Sequence, residues 1–411
     1  MAETDAGADG ARAEDVDRTD PRPGRGAVLG TNQSGMRDHN ERLALTLIRR
    51  HGALSRAEIA RETGLSAQTV SVILRGLEAD GLIERGRPTR GRIGQPSVPM
   101  RLAPGGAYVL GLKVGRRSVE MVLTDFLGAV RAEARAIHPY PTPEGTLDFA
   151  RSAAAQLSEA LAPAERDRIA GLGIGLPGRL WDWAEPLGVP TAAMEAWRDA
   201  DIRAALAAEM PWPVLQHNDA SAACHAELVF GTEPPRDFLY AYVGFFAGGG
   251  LVLNGALVGG PTGNAAALGS LLVPGPGGAR QLLHAASLAV LERRIGEAGG
   301  TGARIWEATE GWDLDEGVLG PWLACAAESL AHAAAAGAAL LDLEVMLIDG
   351  WMPAALRARL TEAVAAALAA LDLSGIAPPA IRAGTIGPRA RTLGAASLPL
   401  AARFLVRPGQ R

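Results

Sequence analysis

Between Glu41 and Leu102 the apolar positions mark three helices and then two short strands. Leu43, Leu45, Leu47 and Ile48 mark a first helix from about Glu41 to His51. Ser55-Arg56-Ala57-Glu58 can close a capping box, which opens a short second helix that turns Ile59 and Ala60 inward before Gly64 breaks it. Ser66 caps a third helix, where Val70, Ile73, Leu74 and Leu77 recur at three- and four-residue intervals. Its opposite side carries Gln68, Ser71 and Arg75 at i, i+3 and i+7, with Thr69 beside them. Such a polar row is what a helix lying in the major groove presents to base edges.

Leu82-Ile83-Glu84 and the run from Val98 to Leu102 then read as two strands around a tip rich in Gly and Arg. Arg85, Arg87, Arg90 and Arg92 on that tip suit phosphate contacts or insertion into a narrow minor groove. The whole pattern is an α+β winged helix-turn-helix at residues 37–103. A three-helix module serving protein contact only is the alternative, and the two caps, the polar row and the basic tip favour double-stranded DNA.

Beyond the linker Ala103-Pro104-Gly105-Gly106 the pattern changes to alternation. Tyr108 to Gly115, Val119 to Phe126 and Ala129 to Ile137 predict three strands, a helix follows at about Thr146 to Leu161, and Ile169 to Gly175 is a strand again. The order then restarts, with strands at Phe238 to Phe246 and Gly250 to Val258, long Ala-rich helices, and a strand at Val345 to Ile348. Two such units predict two α/β lobes facing a cleft, at residues 104–235 and 236–411. Residues 1–36, without periodicity and rich in Ala, Asp, Gly, Arg and Pro, are expected to form a disordered tail.

Charge sharpens this division. The chain of 411 residues has a net charge of −5, yet residues 37–102 hold twelve Arg against seven Asp or Glu, about +5, while residues 1–36 carry about −3 and the remainder about −7. DNA affinity is therefore expected in the basic module. Arg abundance alone carries no weight, since Lys113 is the single lysine. The two cysteines, Cys224 and Cys325, can build neither a disulfide framework nor a zinc cluster by themselves. With an acidic, polar start and apolar runs broken by glycines, Asn254, Asp342 and Glu344, the expectation is a cytoplasmic protein with no membrane partner.

Three motifs carry a family resemblance. Gly171-Leu172-Gly173-Ile174-Gly175-Leu176-Pro177-Gly178, His217-Asn218-Asp219-Ala220-Ser221-Ala222-Ala223, and Gly248-Gly249-Gly250 with Leu253-Asn254-Gly255 resemble the ROK family (repressors, open reading frames, kinases). With its winged helix-turn-helix the chain is similar to the xylose and N-acetylglucosamine repressor branch. The resemblance implies an α/β two-lobed actin-like, hexokinase-like domain with a sugar between the lobes. It also implies that Asn218 and Asp219 bind a sugar hydroxyl, with Asp219 at the place of the catalytic base; read alone, the pair could equally cap the helix from Ala220.

The phosphate-handling parts depart from the family. Where family kinases carry Asp-x-Gly-Gly-Thr, this chain has Lys113-Val114-Gly115-Arg116-Arg117, and the second phosphate loop reads Gly244-Phe245-Phe246-Ala247-Gly248-Gly249-Gly250. Bulky side chains then stand where phosphates need glycine amides, and Lys113 inverts the charge a metal needs. Where the family has Glu-x-Gly-His and a cysteine cluster, this chain has Ala267-Leu268-Gly269-Ser270 and Pro274 to Gln281, which leaves no thiolate for zinc; His284 alone reads as an ordinary helix residue. No catalytic residue, metal site or cofactor is therefore expected. Asn264 and the Gly260 to Gly263 loop still offer polar groups to a ligand. Trp181, Trp183 and Trp197 read as core before sugar platform, and Asp349-Gly350 as a strand-to-helix turn.

The reading is a homodimeric or larger regulator, a repressor of carbohydrate genes with a sugar-like effector in a non-catalytic cleft. Its rivals are a sugar kinase with an appended DNA-binding module, and a DNA-binding dimer without an effector.

Overall fold

The computed structural model describes residues 33–88, 98–184 and 188–406. Helix α1 (Gln33–His51) begins earlier than the apolar pattern suggested, which shortens the expected tail. No residue from Gly35 to Asn40 is buried, and Arg37 pairs there with Glu41 one turn later at 2.9 Å. Helices α2 (Arg56–Thr63) and α3 (Ala67–Ala79) follow, then the antiparallel strands β1 (Ile83–Arg85) and β2 (Met100–Leu102). The capping box forms as expected: the Glu58 amide donates to Ser55 Oγ at 3.3 Å and the Ser55 amide to Glu58 Oε2 at 2.7 Å. Gly64 ends α2 at φ +71°, a left-handed conformation suited to glycine.

Each lobe is built on a five-stranded sheet. Strands β3 (Tyr108–Val114), β4 (Ser118–Asp125), β5 (Val130–Ile137), β6 (Ile169–Gly175) and β7 (Val214–His217) lie in the order β5-β4-β3-β6-β7. Strands β8 (Phe238–Val243), β9 (Ala247–Leu253), β10 (Ala256–Leu257), β13 (Val345–Gly350) and β14 (Ala380–Ala383) lie in the order β10-β9-β8-β13-β14. A small hairpin, β11 (Leu272–Gly275) and β12 (Gly278–Gln281), stands apart. In both sheets an antiparallel meander is extended by parallel strands, so the two halves share one topology.

Outer helices cover the sheets: α4 (Pro143–Glu159) and α5 (Ile202–Glu209) in the first lobe, α7 (Leu288–Glu297), α8 (Glu316–Leu341) and α9 (Ala354–Ala369) in the second. By length and apolar composition α8 could cross a membrane, but here it buries Trp322, Ala326 and Leu330 in the second lobe's core.

Two further helices, α6 (Asp219–Phe230) and α10 (Ala390–Phe404), pack against each other between the two sheets. Several glycines of the motifs make this possible. A Cβ at Gly173 would lie 1.7 Å from the Ala395 carbonyl oxygen of α10, and one at Gly250 would lie 2.4 Å from Cys224 Cβ of α6. The glycine motifs thus let helices approach strands, a requirement independent of phosphate.

The winged helix is not a loose appendage. Ile48, Leu74, Leu77 and Leu102 of this module share one buried cluster with Val109, Val122, Phe126, Leu400 and Phe404 of the first lobe and α10.

Candidate nucleic-acid interface and ligand cleft

Helix α3 buries Val70, Ile73, Leu74 and Leu77 and turns its other side to solvent. Gln68, Thr69 and Arg75 are exposed and Ser71 is half-buried, so the structure brings the expected row together. Ser71 Oγ bonds back to the Ala67 carbonyl at 2.8 Å, and Arg75 Nε to the Ser71 carbonyl at 3.2 Å. Among the described residues no hydrogen bond takes the terminal nitrogens of Arg75, a pair of donors. Thr69 belongs to the cap: its amide donates to Ser66 Oγ at 3.1 Å and its hydroxyl bonds Ser66 Oγ at 2.8 Å.

Sequence reasoning missed Val72, whose side of α3 is also open, with 49 % of the residue exposed. A periodicity search sorts positions into apolar-inside and polar-outside, and so discards an apolar residue on the outer face.

The expected basic tip divides. Arg87 is exposed. Arg85 is held in a two-point pair with Glu78 at the end of α3, Nε to Oε1 at 2.8 Å and Nη2 to Oε2 at 3.1 Å, which fixes the first wing strand to the helix. Arg90 and Arg92 lie outside the described residues.

Between the lobes lies a cleft of about 1190 Å³. Asn218, Asp219 and Asn264 all line it, as expected, together with His217, Trp181 and Trp183. The capping role falls to Asn218, whose Oδ1 accepts from the Ala220 and Ser221 amides at 3.0 and 3.3 Å. Asp219, in the first turn of α6, instead pairs with Arg391 of α10, Oδ2 to Nη1 at 3.1 Å, with both side chains about seven-eighths buried at 13 % and 14 % exposure. The Arg391 guanidinium also lies 4.8 Å from the centre of the Tyr242 ring. A carboxylate held this way is a fixed acceptor. His217 beside it has its pKa lowered by burial, which keeps it neutral near pH 7.

The turn between β3 and β4 is closed off. The Arg116 guanidinium lies 4.1 Å from the centre of the Phe245 ring, and Arg117 pairs with Glu292 of α7 at 2.6 Å, with Arg116 3.9 Å from the same carboxylate. Phe245 and Phe246 contact each other edge to face at 4.7 Å, and Trp183 meets Phe246 at 5.2 Å. Rings and guanidinium groups therefore occupy the space between the first turn and the second loop. Lys113 is buried and pairs with Glu120 at 3.1 Å. Burial lowers the Lys113 pKa, with Glu120 opposing the shift. Burial alone would raise Glu120, but Lys113 and the Ser118 hydroxyl bring it down to about 2.

The structure adds detail to three expectations. Asp349 is more than a turn residue: fully buried, its carboxylate accepts from Arg357 at 2.8 Å, Tyr240 at 3.2 Å, and the Gly387 and Gly350 amides at 2.8 and 2.9 Å, tying β13 to α9 and to the start of α10. His284 borders the cleft near Ser270 and Gln281. The three tryptophans do not act alike, since Trp197 is buried and donates to the Pro141 carbonyl at 3.0 Å while Trp181 and Trp183 are only partly buried. Among the described residues no group of three or more His, Cys, Asp or Glu could hold a metal ion.

Comparison with known proteins agrees with this division. Residues 109–302 match the model of the ROK family, and residues 34–93 that of the MarR family. The chain is 25 % identical over 372 residues to the uncharacterized protein y4fQ of Sinorhizobium fredii, covering 89 % of this chain and 91 % of that one. It is 24 % identical over 243 residues to the xylose repressor of Bacillus subtilis, an alignment that spans 59 % of this chain and 62 % of the repressor. Among solved structures, a ROK family transcriptional regulator homologous to the E. coli MLC protein superposes with a TM-score of 0.61 at 19 % identity, over 90 % of this chain and 97 % of that one. A ROK family glucokinase from Streptomyces griseus, in complex with glucose and AMPPNP, gives 0.54 at 22 % identity, over 71 % of this chain and 99 % of that one. A MarR-type winged helix is thus set on a two-lobed, hexokinase-like α/β body that carries a ROK family domain at residues 109–302.

Proposed function

We propose that the protein is a sequence-specific DNA-binding repressor of carbohydrate uptake or catabolism genes, with a sugar-like effector in a cleft that performs no phosphoryl transfer. The observation that carries this reading is the filled phosphate region. Phosphoryl transfer depends on positioning and neutralising a triphosphate, and here Arg116, Phe245 and Phe246 pack together at the cleft while Arg117 pairs with Glu292. The relatives named xylose repressors and the MarR-type module support the regulatory half.

Gln68, Ser71 and Arg75 would contact base edges, and Val72 among them would meet a thymine methyl, the apolar group that the major groove offers. Arg87 would contact the phosphate backbone. A single winged helix reads one half-site, so recognition against a genome calls for two copies on an inverted repeat. Asn218, Asp219 and Asn264 would hold ligand hydroxyls, with Trp181 or Trp183 as an apolar platform.

The test has two arms. In-vitro selection of genomic fragments should enrich a sequence with dyad symmetry, and a panel of sugars should include one that changes affinity for it. A sugar-dependent conversion of ATP to ADP by the pure protein would overturn the reading in favour of a kinase.

A further inference from the structure

Helices α6 and α10 run side by side and parallel, and their contacts recur at a constant sequence offset. Asp219 pairs with Arg391 at 3.1 Å, and His225 Nδ1 bonds Ser397 Oγ at 2.6 Å, each pair 172 residues apart. Between them, at the same offset, a Cβ on Gly394 would lie 1.9 Å from the Ala222 carbonyl oxygen. The rungs thus come every third residue, roughly 4.5 Å of helix rise apart. Backbone in contact at the middle rung leaves no slack for one helix to slide against the other.

The near end of this pair lies in the cleft and the far end lies against the DNA-binding module. Phe230, the last residue of α6, lies 5.6 Å from the guanidinium of Arg49 in α1, and that guanidinium lies 5.1 Å from Phe126 on its other contact. Phe404, the last residue of α10, meets Phe126 edge to face at 4.9 Å. Arg49 also donates to the Phe126 carbonyl, while Arg42 donates to the Ala402 carbonyl at 3.4 Å and the Val406 amide to Thr46 Oγ1 at 3.0 Å. Arg42, Thr46 and Arg49 all sit on one helix, α1, whose Ala44, Leu45 and Ile48 share a buried cluster with Val70, Ile73, Leu74 and Leu77 of α3.

We infer that α6 and α10 form one rigid strut that carries the state of the Asp219–Arg391 pair from the cleft to α1, with Arg49 as the positioning residue that receives it. The strut's regulatory meaning rests on the effector and operator reading above. A ligand hydroxyl that takes an oxygen of Asp219 competes with Arg391 for it. Because the rungs below leave no slack, a shift at this first rung moves both helices, and the Phe230, Phe126 and Phe404 rings that seat Arg49 move with them. The inward side of α1 then changes its seat, and α3 turns with it.

Hydrogen exchange of the full chain tests this without DNA or sugar, so its failure would fall on the strut alone and leave the repressor reading to the operator and sugar assays. Asp219→Asn should speed exchange of α1 amides from Arg42 to His51 by about tenfold or more through local opening. Ser397→Ala, which removes the third rung without exposing a charge, should do the same to a smaller degree. Trp322→Phe is the control, since it removes a buried hydrogen bond to the Ser287 carbonyl, 3.1 Å away in the second lobe and off the strut. In an Arg49→Met background, Asp219→Asn should no longer alter α1 beyond the change made by Arg49→Met itself. Unchanged α1 exchange in both Asp219→Asn and Ser397→Ala overturns the inference. So does an equal change in Trp322→Phe, or simple additivity with Arg49→Met.

Discussion

Replacing Arg75 by alanine separates sequence reading from mere attraction to DNA. Arg75 stands exposed on the outer face of α3 with Nε tied to the Ser71 carbonyl, which holds the guanidinium in place and leaves its two terminal nitrogens to form a two-point contact. Such a contact with a base edge contributes about 1–3 kcal/mol of discrimination. On the proposed operator, which two copies would occupy, two such contacts are lost, which gives roughly 2–6 kcal/mol, or about thirtyfold to twenty-thousandfold in specific affinity. Attraction to random duplex should change little, because it depends on the summed phosphate contacts of the module, where residues 37–102 carry twelve Arg. The assay is fluorescence anisotropy with a selected operator and a scrambled duplex of equal length, each measured across a range of salt. Arg75→Ala should reduce the ratio of the two affinities while leaving the salt slope on the scrambled duplex nearly unaltered, whereas Arg87→Ala should weaken both and flatten the slope. An equal loss on operator and scrambled DNA for Arg75→Ala would refute the reasoning, because Arg75 would then be a backbone contact.

Other consequences follow from the same structure. Replacing thymidines of the operator half-site one at a time by deoxyuridine should weaken wild-type binding at one position and have no such effect on Val72→Ala; loss of binding independent of Val72 would remove that residue from the interface. The wild-type protein should show no ATP binding by calorimetry at millimolar nucleotide and no stoichiometric zinc by elemental analysis, since Arg116 and Phe245 pack together in the phosphate region and Pro274 to Gln281 holds no cysteine. Asp219→Ala should lower the affinity of a bound sugar by about one to two decades, and it should also reduce stability by roughly 3 kcal/mol because Arg391 is left buried without its partner. Denaturant unfolding of the Asp219→Ala/Arg391→Met double variant should recover most of that stability but none of the sugar affinity. Stability should decline on acidification in two windows. His225, partly buried against Ser397, has a pKa brought down to about 4, so between its unfolded value near 6.5 and that point the unfolded chain takes up a proton that the folded one refuses. Glu120, brought down to about 2, adds a second loss as pH falls below 4.5. Urea titrations at stepped pH check both, and a flat profile from pH 7 to 5 would exclude the first.

Local patterns made the winged helix legible before any coordinates. Caps such as Ser55–Glu58 and Ser66–Thr69 join residues three apart, and the buried stripe of α3 repeats within one helix, so a short window contains both the cause and the result. The altered phosphate loops were legible for the same reason, because Lys113 to Arg117 and Gly244 to Gly250 are each one contiguous turn. What those loops had become was not. The seat of Arg116 and Arg117 is made by Phe245 and Glu292, from the other lobe and up to 175 residues away. Nothing in the window around Asp219 announces Arg391, and nothing around Arg49 announces that its guanidinium is buried between Phe126 and Phe230. The first turns of α1 were missed because polar residues there carry no apolar rhythm, and Val72 because that rhythm admits no apolar residue outside. Periodicity records which side of an element faces a core, and so determines elements and the inward face of each. Which charge meets which, and which helix end meets which module, depends on two sheets closing around α6 and α10, a contact between distant segments that only the tertiary structure decides.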